Sequence, residues 1–351
     1  MFSSFHLKSF GTLIFCALVF SSRGFSADSK PTRWLKGNLH THSYWSDGDD
    51  YPEMICDWYK THGYQFLALS DHNIIQTGPR WISVSSKNTG AVALGKYLKR
   101  FGTNWVEQRD EKTNILVRLK TLAEFRPLFE VPEKFLLIQS EEITDHYLKA
   151  PVHLNATNLR DLIPPRGGNS VLEVMQNNVN AVFEQREKTG QPMIPHLNHP
   201  NFGWAVTAED LMQVKRERFF EVYNGHPTVH NEGDETHAST DRIWDIILTK
   251  RLTELHLEPL YGLGTDDSHH YPSIGPGKNN PGKGWVQVRA AKLSAEKIIE
   301  AMEAGEFYAS NGVRLKEVHR EKGNYSIEIE PENGVTYTVQ FIGTRKGFDG
   351  K

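Results

Sequence analysis

His40 and His42 flank a single threonine in residues 37–48, "GNLHTHSYWSDG", and Asp47 follows in the same stretch. In an extended segment, residues i and i+2 share a face, so both imidazoles can meet one ion. The pattern recurs along the chain. His72 closes "LALSDH", Glu142 lies near the end of "LLIQSEEIT", and His153 sits in "PVHL". His199 ends "PHLNH", and Asp267 and His269 stand at i and i+2 in "GTDDSH". Imidazole and carboxylate together suit divalent Zn, Mn or Fe. Nine such donors exceed what one ion needs, so two or three ions are expected, with Glu142 a natural bridge between them. Taken alone each pair is weak, because the chain has 16 histidines and a lone pair is usually surface or packing. The series, placed where successive apolar runs stop, carries the reading. His62, His146, His237, His256 and His319 fall outside it and read as ordinary surface or helix residues. His196 and His270 are adjacent competitors for the places of His199 and His269.

The elements that must hold these groups follow from periodicity. Strand-like runs are "RWLKGNLH", "YQFLALSDH", "KFLLIQSEEIT", "PVHLNATN", "PMIPHLNHP", "RFFEVYN" and "LYGLGTDDSH". Between them lie helical stretches. One starts at Pro52 and stops at Gly63, "VLEVMQNNVNAVFEQREKTG" is closed by Gly190, and "STDRIWDIILTKR" is a third. Such alternation predicts an α/β fold on mostly parallel strands, with the polar groups at the strand C-termini where α/β barrels assemble active sites. Residues 74–134 interrupt the rhythm as a long insertion. Between Arg80 and Arg126 it carries ten Lys/Arg against four Asp/Glu. After Gly312, "YSIEIE" and "YTVQFIG" around "PENG" predict a small paired-strand appendage over residues 313–351.

The stretches "LHTHSYWSDG", "LALSDHN", "SEEIT", "PVHL", "NHP" and "GTDDSH" resemble, in this order, the PHP (polymerase and histidinol phosphatase) metallohydrolases. The resemblance spans residue 37 to about residue 311. It implies a distorted (β/α)7 barrel over residues 27–312 and a site that in many members holds three metals. Carried over by motif, His40, His42, Glu142 and Asp267 would hold the first ion. Glu142, His153 and His199 would hold the second, and Asp47, His72 and His269 the third. Asp47 stands where some members have histidine, which bears on the third ion. The insertion is longer than in compact members, so the substrate stays open.

Two clustered divalent ions make hydroxide available near neutral pH and neutralise charge on a phosphoryl group. No Gly-x-Ser-x-Gly elbow or Cys/His signature suggests a protein nucleophile. The expected activity is therefore metal-dependent phosphoester hydrolysis by a metal-bound hydroxide, on a small-molecule mono- or diester, with Glu142, Asp267 and His199 at the reacting centre. Three features offer a grip on the phosphate: the basic insertion, Lys278 or Lys283 in "IGPGKNNPGKGW", and Asn224 with His226 just after Glu221. Of these, Asn224 and His226 are the expected substrate contacts. One rival is an amidohydrolase-type C–N hydrolase, which also begins with His-x-His but often bridges its metals with a modified lysine; here that place falls to Glu142. A non-catalytic metal-containing binding protein is the rival from another class.

Lys8 precedes the apolar run "GTLIFCALVF", no acidic residue comes before Asp28, and Gly24 and Ser26 are small. This predicts a signal peptide over residues 1–26 and export, with no membrane span after cleavage. Cleavage removes two basic residues and no acidic one, leaving the chain more acidic than its formal −3. That balance argues against an extended nucleic-acid surface. Cys56 would remain as the one cysteine, which excludes an intramolecular disulfide. Oligomeric state leaves no mark in the sequence.

Overall fold

The structure is a computed structural model that describes residues 31–85, 89–111, 114–321, 323–343 and 347. The expected signal peptide lies outside the described residues. In chain order the elements begin with β1 (Arg33–Asn38), α1 (Pro52–Thr61) and β2 (Phe66–Leu69). The insertion contributes β3 (Arg80–Ser85), α2 (Thr89–Phe101), β4 (Gln108–Glu111), β5 (Asn114–Leu119) and α3 (Leu122–Phe129). Then come β6 (Leu136–Tyr147), β7 (Ala150–Thr157), α4 (Val171–Thr189), β8 (Ile194–Leu197) and α5 (Ala208–Leu211). The chain continues through β9 (Phe219–Asn224), α6 (Thr240–Lys250), β10 (Tyr261–Thr265), β11 (Trp285–Ala290), α7 (Ala295–Glu303) and β12 (Phe307–Ser310). It closes with β13 (Leu315–Glu321) and β14 (Asn324–Ile329).

Local chemistry explains the boundaries. α1 begins with Pro52, whose missing N–H is one the first turn leaves free anyway. α4 starts where Ser170 Oγ accepts from Glu173 N at 3.0 Å and stops where Gly190 turns left-handed at φ 68°. α3 opens on a reciprocal capping box between Thr121 and Glu124. β2 ("FLAL") and β8 ("IPHL") are buried at every position, as strands covered on both faces are; β2 is a continuous apolar run, and β8 is apolar but for His196.

Nine strands form one sheet in the order β10-β9-β8-β7-β6-β2-β1-β11-β12. Its two ends, β10 and β12, lie against each other, so the sheet is nearly closed into a barrel. Gly264 permits this: a Cβ there would crowd Trp285 O at 3.2 Å and Ser310 O at 3.4 Å on the facing strands. The fold is thus mixed α/β and barrel-like, but not mostly parallel. Four of the eight neighbouring pairs (β6–β7, β7–β8, β1–β11 and β11–β12) are antiparallel. Two of these follow from a tight β6–β7 hairpin turning at Leu148 and Lys149, with Leu148 at φ 54°, and the other two from β11, which runs opposite to both its neighbours. Leu35, Phe66, Ile138, Ile194, Phe219 and Leu263 join in one apolar cluster that draws a residue from each of six strands. At about 25 cal/mol per Å² of apolar surface buried, such shared burial is the main force holding the barrel. Outside it, Val174, Met175, Val179 and Val182 of α4 pack onto Ile143, Val152 and Leu154.

The insertion folds as a three-stranded sheet, β3-β5-β4, with α2 against it. Its core joins Val84, Tyr97, Val117 and Leu119 to Trp45 and Tyr51. The insertion therefore buttresses the loop that follows His40 and His42. β13 and β14 pair as a separate antiparallel hairpin. Here "YSIEIE" pairs with residues before it rather than with "YTVQFIG", which forms no strand among its described residues. Among the described residues, no helix is long and apolar enough to cross a membrane.

Candidate metal centre

The segments beyond the strand ends are tied to one another by backbone hydrogen bonds. Asp267 N donates to His40 O and His42 N donates to Ser268 O, each at 3.0 Å. This stitches the stretch after β1 to the stretch after β10. Gly48 closes the turn that carries Asp47; its N donates to Ser43 O at 3.1 Å, and a Cβ there would sit 2.6 Å from the His42 carbonyl. His72 forms an isolated bridge with Glu142, and Asn73 N donates to Glu142 O at 2.9 Å. The β6–β7 register sets His153 opposite Thr144, and Asn198 N donates to His153 O at 3.1 Å, which delivers His199. Asp267 holds a left-handed backbone at φ 48°, a conformation aspartate tolerates better than most residues.

All nine donors predicted from the sequence converge. Glu142 is the hub: Oε2 lies 3.4 Å from His40 Nε2, 3.3 Å from His42 Nε2 and 2.9 Å from His72 Nδ1. Its Oε1 lies 2.9 Å from His153 Nδ1 and 3.5 Å from His199 Nε2. Asp267 Oδ1 stands 3.3 Å from His40 Nε2, 3.1 Å from His42 Nε2 and 3.6 Å from His269 Nδ1. Asp47 reaches His72 at 3.5 Å and His269 at 3.3 Å. Donor atoms fall within 4.8 Å of one another in the groups His42–Asp47–His72–His269, His40–His42–Glu142, His40–His199–Asp267 and His72–Glu142–His153. His42 thus stands with the outer group as well as the inner one, and His72 faces both Asp47 and Glu142.

Burial and crowding set the electrostatics. Burial favours a neutral His40, yet Asp267, Glu221 and Glu142 outweigh it and hold the imidazole pKa well above its ordinary value. Burial likewise pushes Glu142 up, and His72, His40 and His153 hold it well below the usual carboxylate range. His42 is lowered to about 4 by burial and by His269 beside it. His72 is raised to about 11, burial being overcome by Glu142 and Asp47. His40 Nε2, His42 Nε2 and Glu142 Oε2 are buried and have no hydrogen-bond partner. Buried polar atoms are normally satisfied, and three that converge in this way could hold a cation. Nitrogen and carboxylate oxygen donors fit a divalent transition metal.

A second layer fixes the donors. Glu221 Oε1 meets His40 Nδ1 at 2.6 Å, leaving Nε2 for the pocket, and accepts from Thr265 Oγ1 at 2.7 Å. Asn198 Nδ2 donates to Glu142 Oε1 at 2.8 Å. His196 is fully buried beside Glu221 and His40, beneath the pocket rather than in it. His270 stays apart, its Nδ1 accepting from Asn279 N at 3.1 Å. Glu221 is a site residue whose one mark in the sequence is that it is a lone acid in the apolar strand "RFFEVYN".

The expected substrate contacts divide. His226 lines the cavity, with Thr228 N donating to its Nδ1 at 3.2 Å, so Nε2 carries the proton. Burial lowers its pKa to about 4, keeping it neutral. Asn224 instead is buried below the cavity. Its amide donates to Glu221 at 2.8 Å and Asp267 at 3.1 Å, and its oxygen accepts from His226 N, so it positions Asp267 rather than facing a ligand. Lys283 is also turned away, its ammonium donating to the carbonyls of Gly225 and Lys278. The cavity, about 130 Å³, is lined by Asp47, His72, Glu142, His153, His199, Phe202, His226, Val229, Asp267 and His269. None of these is from the basic insertion.

No protein-family model and no curated protein matches the chain. Solved structures similar to it include a two-domain protein from Bacteroides vulgatus ATCC 8482 containing a predicted PHP-like metal-dependent phosphoesterase. It is 18% identical, over 85% of this chain and 76% of that one, with a TM-score of 0.43. PsfC from Pseudomonas syringae PB-5123 is 13% identical over 77% of this chain and 88% of its own, with a TM-score of 0.39. A candidate metal-dependent phosphoesterase from Bifidobacterium adolescentis ATCC 15703 is 11% identical over 76% and 94%, with a TM-score of 0.35. Likeness at this level is weak, and the chemistry of the site rests on its own side chains.

Proposed function

We propose that the chain is a metal-dependent hydrolase of small phosphoesters, exported by the apolar N-terminal stretch. The observation that supports this best is the convergence of buried His40 Nε2 and His42 Nε2 on Glu142, which lines a cavity together with His72, His153, His199, Asp267 and His269. His40, His42, Glu142, Asp267, His153 and His199 would hold two divalent ions, and Asp47, His72 and His269 a third. When bound, such ions supply Lewis acidity that activates water and screens phosphoryl charge.

The chain's own groups prepare that reaction. Glu221 and Asn198 orient His40 and Glu142 through the hydrogen bonds described above, and Asn224 does the same for Asp267. His226, neutral with its proton on Nε2, offers an uncharged N–H donor at the cavity wall. No lysine or arginine lines the cavity among the described residues, so an anionic substrate would find its counter-charge in the bound cations. The same observation weighs against a bridging modified lysine and hence against the C–N hydrolase.

The test is turnover of p-nitrophenyl phosphate, bis-p-nitrophenyl phosphate and an amide panel with Mn or Zn added. Metal-dependent release of p-nitrophenol from either phosphoester is expected. Turnover of amides alone would overturn the proposal, as would tight ligand binding with no turnover of any substrate.

A further inference from the structure

The floor of the cavity is polar, but part of its wall is not. Phe202 stands edge-on to His199, with ring centroids 5.1 Å apart at 70°, and 6.1 Å from the His153 ring. Val229, 8% exposed, supplies further apolar surface. The two residues come from different loops, one following β8 and one following β9. Those loops are clasped together. Asn201 Nδ2 donates to His230 O at 2.8 Å and to Ala238 O at 3.0 Å. The Trp204 ring lies between two parallel imidazoles, His230 at 4.5 Å and His237 at 4.0 Å. Asp234 fixes His237 in turn, 2.8 Å from its Nδ1.

The clasp holds an uncommon backbone. Gly203 and Trp204 are both left-handed, at φ 59° and 54°. Glycine adopts this freely, whereas a residue with a Cβ is disfavoured there. The stacking around Trp204 keeps the turn that aims Phe202 at the cavity, and strained turns of this kind gather at ligand sites. The wall is therefore built before any ligand arrives, and it adds no charge.

We propose that Phe202 and Val229 form an apolar subsite for the organic arm of the ester, so that the site selects phosphoesters of flat apolar or aromatic alcohols over those of small or highly hydroxylated ones. This rests on the phosphoester reading above. It makes Phe202 a specificity determinant rather than a catalytic residue.

Phenylphosphonate and methylphosphonate test it, titrated calorimetrically into the full-length protein loaded with Mn. Both present one phosphonate head, and only the first has an aromatic arm. Phenylphosphonate is expected to bind about tenfold more tightly, the discrimination an apolar wall of this size supplies. In Phe202→Ala the ratio should fall to about threefold or less, and in the milder Phe202→Leu to a value between. Metal content equal to wild type certifies that each variant is folded. A wild-type ratio near one, or a high ratio that Phe202→Ala leaves untouched, overturns the subsite while the phosphoester reading stands. Binding of neither phosphonate to metal-loaded protein overturns the phosphoester reading and the subsite with it.

Discussion

The barrel mouth and the insertion at 74–134 are both rich in charge, yet they handle it in opposite ways. At the mouth, Glu142 and His40 side chains are 1% and 0% exposed, and several of their neighbours' polar atoms lack partners. In the insertion, charges meet opposite charges within reach of solvent: half-buried Arg118 with Glu124 at 2.8 Å, buried Lys120 with the exposed Glu107 at 2.5 Å, and Arg100 with Asp57 of α1 at 3.0 Å. A pair of opposite charges that reaches solvent is satisfied by its partner and by water, whereas the mouth's imidazoles and carboxylates are crowded together out of water. The abundance of charge in the sequence suited both regions to anion binding. Its state of satisfaction separates them.

The largest effect that would break this contrast is at His40 and His42. Replacing His40 and His42 together by Ala should remove bound metal and lower phosphoester turnover by at least about 10³-fold, read by elemental analysis and p-nitrophenol release. Next comes the layer behind them. Glu221→Gln should weaken metal binding by about 10- to 100-fold, because His40 loses the carboxylate that fixes its ring; competition against a metallochromic indicator measures it.

A third prediction concerns burial without a metal. Glu217 accepts from Arg218 N and Phe219 N, and burial raises its pKa to about 8. Its folded value therefore exceeds its unfolded value near 4.3, so the folded state retains a proton that the unfolded chain has released. The group's stabilising contribution is complete below about pH 4.3 and is lost as pH rises towards 8, at roughly 1.4 kcal/mol per pH unit. Thermal melts should show the wild type losing several degrees more than Glu217→Gln between pH 6 and pH 8. Part of the decline should persist in the variant, since burial also raises Glu141 to about 8. The smallest effect belongs to the insertion. Arg118→Ala should change stability by about 1 kcal/mol in urea melts and leave turnover unchanged, as a half-buried pair that still reaches water implies.

The convergence of these side chains was legible because imidazoles and carboxylates stood where apolar runs ended, and i, i+2 spacing fixed their shared face. Strand direction was not legible. The β6–β7 turn at Leu148 and Lys149 carries no glycine, proline or asparagine, so nothing announced a hairpin there. Glu221 was hidden because an acid inside an apolar strand has the same spelling whether it meets solvent or a buried imidazole. Lys283 looked available for the same reason: its nearest acceptors are the backbone carbonyls of residues 225 and 278, and only folding brings the first of them close. The alternating run at 337–343 has strand spacing, but spacing says nothing about whether a free sheet edge lies alongside. The expectation for Asn224 failed in a related way, since proximity to the site does not tell a contact from a support.

The most direct measurement is the metal stoichiometry of the purified chain after saturation with Mn, Zn or Fe and removal of loosely held ions. At least two divalent ions per chain are expected, falling to one or none when His40 and His42 are both replaced by Ala. A wild-type protein that retains no metal from any of the three would contradict the claim that the nine converging donors exist to hold cations.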